Sequence, residues 1–166
     1  IVLNEICKEN KEFFDDLSIR LIGDFDSAII SDDNIKLIKS KVQFETYLGK
    51  DELDIEITKA KVLLLSSVDL NTVNNIIPGK LFYYFSAKRP ILAFSNLNSD
   101  VSKIIKSTNT GRVFEFSNKI DLKNHILELY EDYKSGKNNF KPNGLTNYTF
   151  DVLTENLSRI LKKTIS

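Results

Sequence analysis

Apolar residues recur along this chain in alternating rhythms. Leu3, Ile6, Cys7, Phe13, Phe14 and Leu17 fall near helical spacing, which predicts an amphipathic helix over roughly 3–16. Ser18 to Ile22 reads as a strand stopped by Gly23. Over 27–39, Asp32, Asp33 and Asn34 interrupt a pattern that Ile35 and Ile38 resume, and a helix is the expectation there. Lys41 to Glu45 is a short strand, and Asp51 to Lys59 a short helix with Leu53, Ile57 and Ala60 on one side. The run Val62-Leu63-Leu64-Leu65, within Lys61 to Ser66, fits a strand buried on both faces of a parallel sheet. A polar loop, Ser67 to Asn75, follows.

Pro78 then sits where a first helical turn begins and where its missing N–H costs nothing. Leu81, Phe82 and Phe85 give this helix its apolar face. Ile91 to Phe94 is the next buried strand. Val101, Ile104 and Ile105 mark a helix started by Ser99 or Asp100. Gly111 ends the connection, and Arg112 to Phe116 alternates as an edge strand does. Leu122, Ile126, Leu129, Tyr130 and Tyr133 form a helical stripe. Residues 135–148 look like a crossing loop, and Leu153, Leu157, Ile160 and Leu161 mark a last helix.

Strand and helix alternate about five times, with connections that imply right-handed crossovers. The expected fold is α/β, a Rossmann-like doubly wound parallel sheet of about five to six strands, helices on both faces, in one domain over 1–166. In such sheets ligands bind outside the carboxyl ends of the strands. That rule nominates Gly23-Asp24, Thr46-Tyr47-Leu48, Ser66-Ser67, Asn75 to Leu81, and Phe94-Ser95.

Composition narrows the choice. The chain has 166 residues, with 23 basic and 23 acidic side chains and 42% hydrophobic residues, which suits one domain with a sizeable core. The balanced charge argues against a nucleic-acid partner. No apolar run approaches the roughly 18–20 residues of a membrane span, and no signal peptide is visible. A single cysteine, Cys7, excludes an intrachain disulfide and a cysteine-built zinc site, so the expected setting is reducing and cytoplasmic. The chain lacks methionine and opens with Ile1, which implies a piece of a longer protein whose missing part precedes residue 1.

The candidate chemistry lies in Ile77-Pro78-Gly79-Lys80. A helix beginning at the carboxyl edge of a sheet presents unpaired N–H groups and partial positive charge, for which a phosphate or pyrophosphate is the natural ligand. Gly79 lets an anion approach the backbone, and Lys80 adds a full charge. Pro-Gly before a helix is also an ordinary turn. His125, alone in a helix, reads as a surface or packing residue, and Cys7 as a core residue. Asp24 and Asp26 after a strand suggest the acidic pocket of a receiver domain, but Ser66-Ser67-Val68-Asp69 and Phe94-Ser95 do not supply the rest of that set.

The stretch from Ile77 through Lys80-Leu81-Phe82-Tyr83-Tyr84-Phe85-Ser86-Ala87-Lys88-Arg89-Pro90 to Ala93 resembles the donor site of GT-B glycosyltransferases, especially the family-4-like retaining group. Lys41 to Leu48 and Gly49 to Leu53 are similar to the family's strand, turn and helix near the nucleotide base. The similarity covers nearly the whole chain, in order. It implies the C-terminal, nucleotide-sugar-binding half of an enzyme that moves a sugar to an acceptor glycan or lipid-linked glycan, typically in surface polysaccharide biosynthesis. Pro78, Gly79, Lys80 and Leu81 would bind the donor diphosphate, Asn75 and Tyr83 the ribose or sugar, and Thr46, Tyr47 and Leu48 the base, with Gly23 and Asp24 at the cleft edge. The nucleotide-sugar is a substrate, and neither cofactor nor metal is expected. The acceptor would bind the missing N-terminal half, and the full-length enzyme would associate peripherally with the inner membrane face. Catalytic residues are not assigned, and the isolated piece should not turn over.

Two departures stand out. The family carries glutamates at the positions of Asn75 and Tyr83, and neither residue is a carboxylate. The basic pair that steadies the leaving diphosphate lies on the family's first strand and loop, which would precede Ile1. The alternatives are a non-catalytic α/β module that binds an anion or partner protein, and a receiver-like signalling domain.

Overall fold

A computed structural model describes residues 1–24, 33–66 and 76–165. The chain divides into two compact units, one of residues 1–56 and 117–138, the other of residues 57–116 and 139–166.

The first unit holds helices α1 (Val2–Glu9) and α2 (Lys11–Asp16), strand β1 (Ile19–Ile22), a 3-10 helix (Asp33–Lys41), strand β2 (Val42–Glu45), most of helix α3 (Lys50–Lys59) and helix α6 (Lys119–Lys134). One helix was expected over 3–16. It is broken at Asn10, whose backbone is extended and whose side-chain oxygen accepts from the Phe13 N–H at 2.9 Å. Asparagine caps the second helix better than it continues the first. The helix expected over 27–39 lies partly outside the described residues, and Asp33–Lys41 forms tighter 3-10 turns. β1 and β2 pair in parallel, Ile22 opposite Glu45. Val2, Ile6, Cys7, Phe13, Ile38, Leu122 and Tyr130 are buried. Tyr130 meets Phe13 edge to face, with ring centroids 5.0 Å apart, and donates its hydroxyl to Asp16 at 2.9 Å.

The second unit holds β3 (Leu63–Ser66), α4 (Gly79–Ala87), β4 (Ile91–Phe94), α5 (Asp100–Thr108), β5 (Gly111–Phe114), a 3-10 turn (Leu145–Tyr148) and α7 (Phe150–Ile165). The strands form a parallel sheet in the order β3-β4-β5, with Ser66, Phe94 and Phe114 in register at its carboxyl edge. Leu65, Ile91 and Ala93 form a buried cluster with Leu81 and Phe85 of α4 and Val101 and Ile105 of α5. Ser99 caps α5 by accepting from the Ser102 N–H at 3.2 Å, one of the two residues expected to start it. Gly111 opens β5 rather than ending a loop. A Cβ there would lie 1.8 Å from the Ile91 carbonyl oxygen, so only glycine lets these backbones approach.

One expectation, a β3 buried on both faces, is corrected. The five described strands form two parallel sheets, of two and three strands; a single sheet of five to six is not seen among the described residues. The ladders run only β1–β2 and β3–β4–β5, so β1 and β3 each keep an outer edge without a strand partner among the described residues. β3 also alternates in burial: Leu63 and Leu65 are buried, whereas Leu64 is 52% exposed. An apolar run is read as interior because local sequence carries no record of which strand stands beside it. Among the described residues, no helix is long and apolar enough to cross a membrane.

Candidate functional site

Helix α4 follows β3 and leads, through Lys88–Pro90, into the parallel neighbour β4. It therefore runs antiparallel to the strands, and its amino end stands at the carboxyl edge of the sheet. The spacing of Leu81, Phe82 and Phe85 fixes its orientation: Leu81 and Phe85 are buried and Phe82 is half-buried. Phe82 and Phe85 pack on Tyr148, with centroids 5.7 and 5.6 Å away, so the 3-10 turn near the C-terminus braces the helix. Sequence reading took residues 135–148 as loop and missed this brace. Its local signal is the apolar pair Leu145 and Tyr148, three apart after Gly144.

Pro78, with φ −64°, is the residue before the first helical turn, and Gly79 is the first within it. Among the described residues no side chain caps this end, and its first turn has no acidic residue. The other described helices that start near strands differ. Asp51 and Glu52 open α3, where Glu52 accepts from the Gly49 N–H at 3.2 Å. Asp100 opens α5 behind the Ser99 cap, and Asp121 opens α6 behind Asn118. Side-chain oxygens at those ends quench the donors and the positive end of the helix dipole. At α4 the first turn carries no such oxygen, and the exposed Lys80 adds to the positive end of the dipole. An added Cβ on exposed Gly79 would meet no atom within 4 Å, so space is open beside the backbone.

Leu81 differs from its two neighbours at this end. Its side chain is fully buried in the core cluster, and its N–H already donates to the Pro78 carbonyl at 2.9 Å. The N–H groups of Gly79 and Lys80 are the ones that helix geometry leaves for an anion. Tyr83 is half-buried on α4, and its carbonyl accepts from Ser86 Oγ at 2.7 Å. Tyr84 reaches the outer edge of β3, donating its hydroxyl to the Leu64 carbonyl at 3.3 Å, and burial raises its pKa. Asn75, like Ser67 and Asp26, lies outside the described residues.

The same carboxyl edge carries a feature that sequence reading passed over. Phe116, just beyond β5, is 59% exposed and stacks on Phe94 at the end of β4, with centroids 5.1 Å apart and planes 8° apart. Behind it, Ser95, Ser99 and Ser102 are buried and mutually bonded: Ser95 Oγ lies 2.9 Å from Ser99 Oγ, and Ser102 Oγ donates to the Asn96 carbonyl at 2.6 Å. These hydroxyls satisfy one another and shape the corner between β4 and α5.

The remaining sequence-nominated residues belong to the first unit. Gly23-Asp24 and Thr46-Tyr47 follow the paired ends Ile22 and Glu45, so the structure brings them to one edge of the two-stranded sheet. Gly23, with φ +125°, donates to the Glu45 carbonyl at 3.0 Å, a backbone shape that strains any other residue. Tyr47 is 87% exposed, Thr46 and Asp24 are exposed, and Leu48 is half-buried. Arg20 is held by Glu45 at 2.5 Å and by Glu56, so its charge is already matched. This edge offers an aromatic ring and carboxylates rather than an anion site. His125 pairs with Glu128 along α6 at 3.2 Å. Cys7 is buried, and burial raises its thiol pKa, with Lys41 opposing that shift. Among the described residues, no group of three or more His, Cys, Asp or Glu could hold a metal ion. In comparisons with known proteins, no family model and no curated protein matches the chain.

Proposed function

We propose that this chain is the nucleotide-sugar-binding part of a glycosyltransferase with two α/β halves, of the GT-B type that its sequence resembles. The observation that carries the reading is the amino end of α4, which has no side-chain cap among the described residues, no carboxylate in its first turn, and exposed Lys80 within that turn. Gly79 and Lys80 would hold the donor diphosphate through their N–H groups and the lysine charge. As the sugar leaves, negative charge grows on that diphosphate, and fixed dipoles and a cation lower its energy. The acceptor, a glycan or lipid-linked glycan, would be held by another part of the enzyme, at the cytoplasmic face of a membrane.

We also propose that the fold is a Rossmann-like doubly wound parallel sheet of about five to six strands with helices on both faces. Two observations support this. Every described strand pair is parallel, and within each sheet chain order follows ladder order, β1 to β2 and β3 to β4 to β5.

Calorimetric titration with UDP and GDP tests the function. The expected Kd is about 0.1–1 mM, or about 4–5.5 kcal/mol, as befits part of a cleft. No response to either nucleotide at several times about 1 mM refutes the reading. The absence of a carboxylate at Tyr83 favours a second reading, an anion-binding module without catalysis. Nucleotide binding with no sugar transfer by the full-length protein would support that one.

A further inference from the structure

No further inference is drawn: the strongest candidate, the apolar stripe that Phe150, Leu153, Leu157, Ile160 and Leu161 expose along α7, is an unpartnered helix face, and nothing in the structure shows what covers it.

Discussion

Replacing Lys80 should move nucleotide affinity and fold stability in opposite directions. One positive charge about 5 Å from one negative charge interacts by about 3 kcal/mol at an effective dielectric of about 20. Lys80 is exposed, so screening and the entropy of its long side chain reduce that to about 1 kcal/mol. Lys80→Ala is therefore expected to weaken UDP or GDP binding about fivefold, and Lys80→Glu, which turns attraction into repulsion, about thirtyfold. The glutamate would also stand in the first turn of α4, which has no acidic residue. There it should stabilise the ligand-free protein by about 0.3–1 kcal/mol through the helix dipole, raising the melting temperature by about 1–4 °C. Titration calorimetry and thermal melting of the three proteins, at low and high salt, read both effects. Equal affinity in all three refutes the reasoning. So does weaker binding by Lys80→Glu together with a lowered melting temperature, because the loss would then lie in the fold.

Other outcomes follow from features away from that end. Gly111→Ala places a methyl against the Ile91 backbone, which cannot yield as a side chain does; a loss of about 3 kcal/mol, or about 6–12 °C in melting temperature, is expected, and an unchanged melt would refute the close approach. Tyr83→Phe should weaken donor affinity by about 0.5–1.5 kcal/mol if its hydroxyl serves the ribose, whereas identical titration curves would remove Tyr83 from the site. Tyr130 is pushed up to about 12, by burial first and then by its bond to Asp16. Between about pH 10, where the unfolded phenol ionises, and about pH 12, the folded chain keeps a proton that the unfolded chain has lost, so stability should fall as pH rises. Denaturant melts over that range should show a shallower decline for Tyr130→Phe; equal slopes would place the alkaline sensitivity elsewhere.

How far the sequence could be read depended on the range of each interaction. The amino end of α4 was legible because its determinants are local: Pro78, Gly79, and apolar residues at helical spacing that drive Leu81 and Phe85 inward. The Ser99 cap was legible for the same reason. The break at Asn10 carried a signal too, an asparagine three residues before Phe13, but the apolar period ran across it and outweighed it. Strand pairing is non-local, and Leu63-Leu64-Leu65 reads the same whether or not a neighbour stands beyond β3. The reach of Tyr148 to Phe82 and Phe85 spans more than sixty residues of chain, beyond any periodicity. Leu81 illustrates a subtler limit: sequence placed it in the right turn, but not its N–H on the Pro78 carbonyl.

The division of the chain has a consequence for the order in which it can fold. All three strands β3 to β5 lie within 57–116 and are joined by short crossovers, so that sheet can form as soon as those residues are made. The first unit cannot finish so early. Lys123 bonds to Glu9 and Tyr130 to Asp16, each across 114 residues, and α6 must exist before either contact forms. Closing so long a loop costs chain entropy that no local contact returns. The second unit waits as well, for residues 139–148 to come back to α4 after α6 has been made. Neither unit is one uninterrupted stretch of polypeptide, so neither can be released by choosing two ends, and a nick between β5 and α6 would fall on a crossing that both units need.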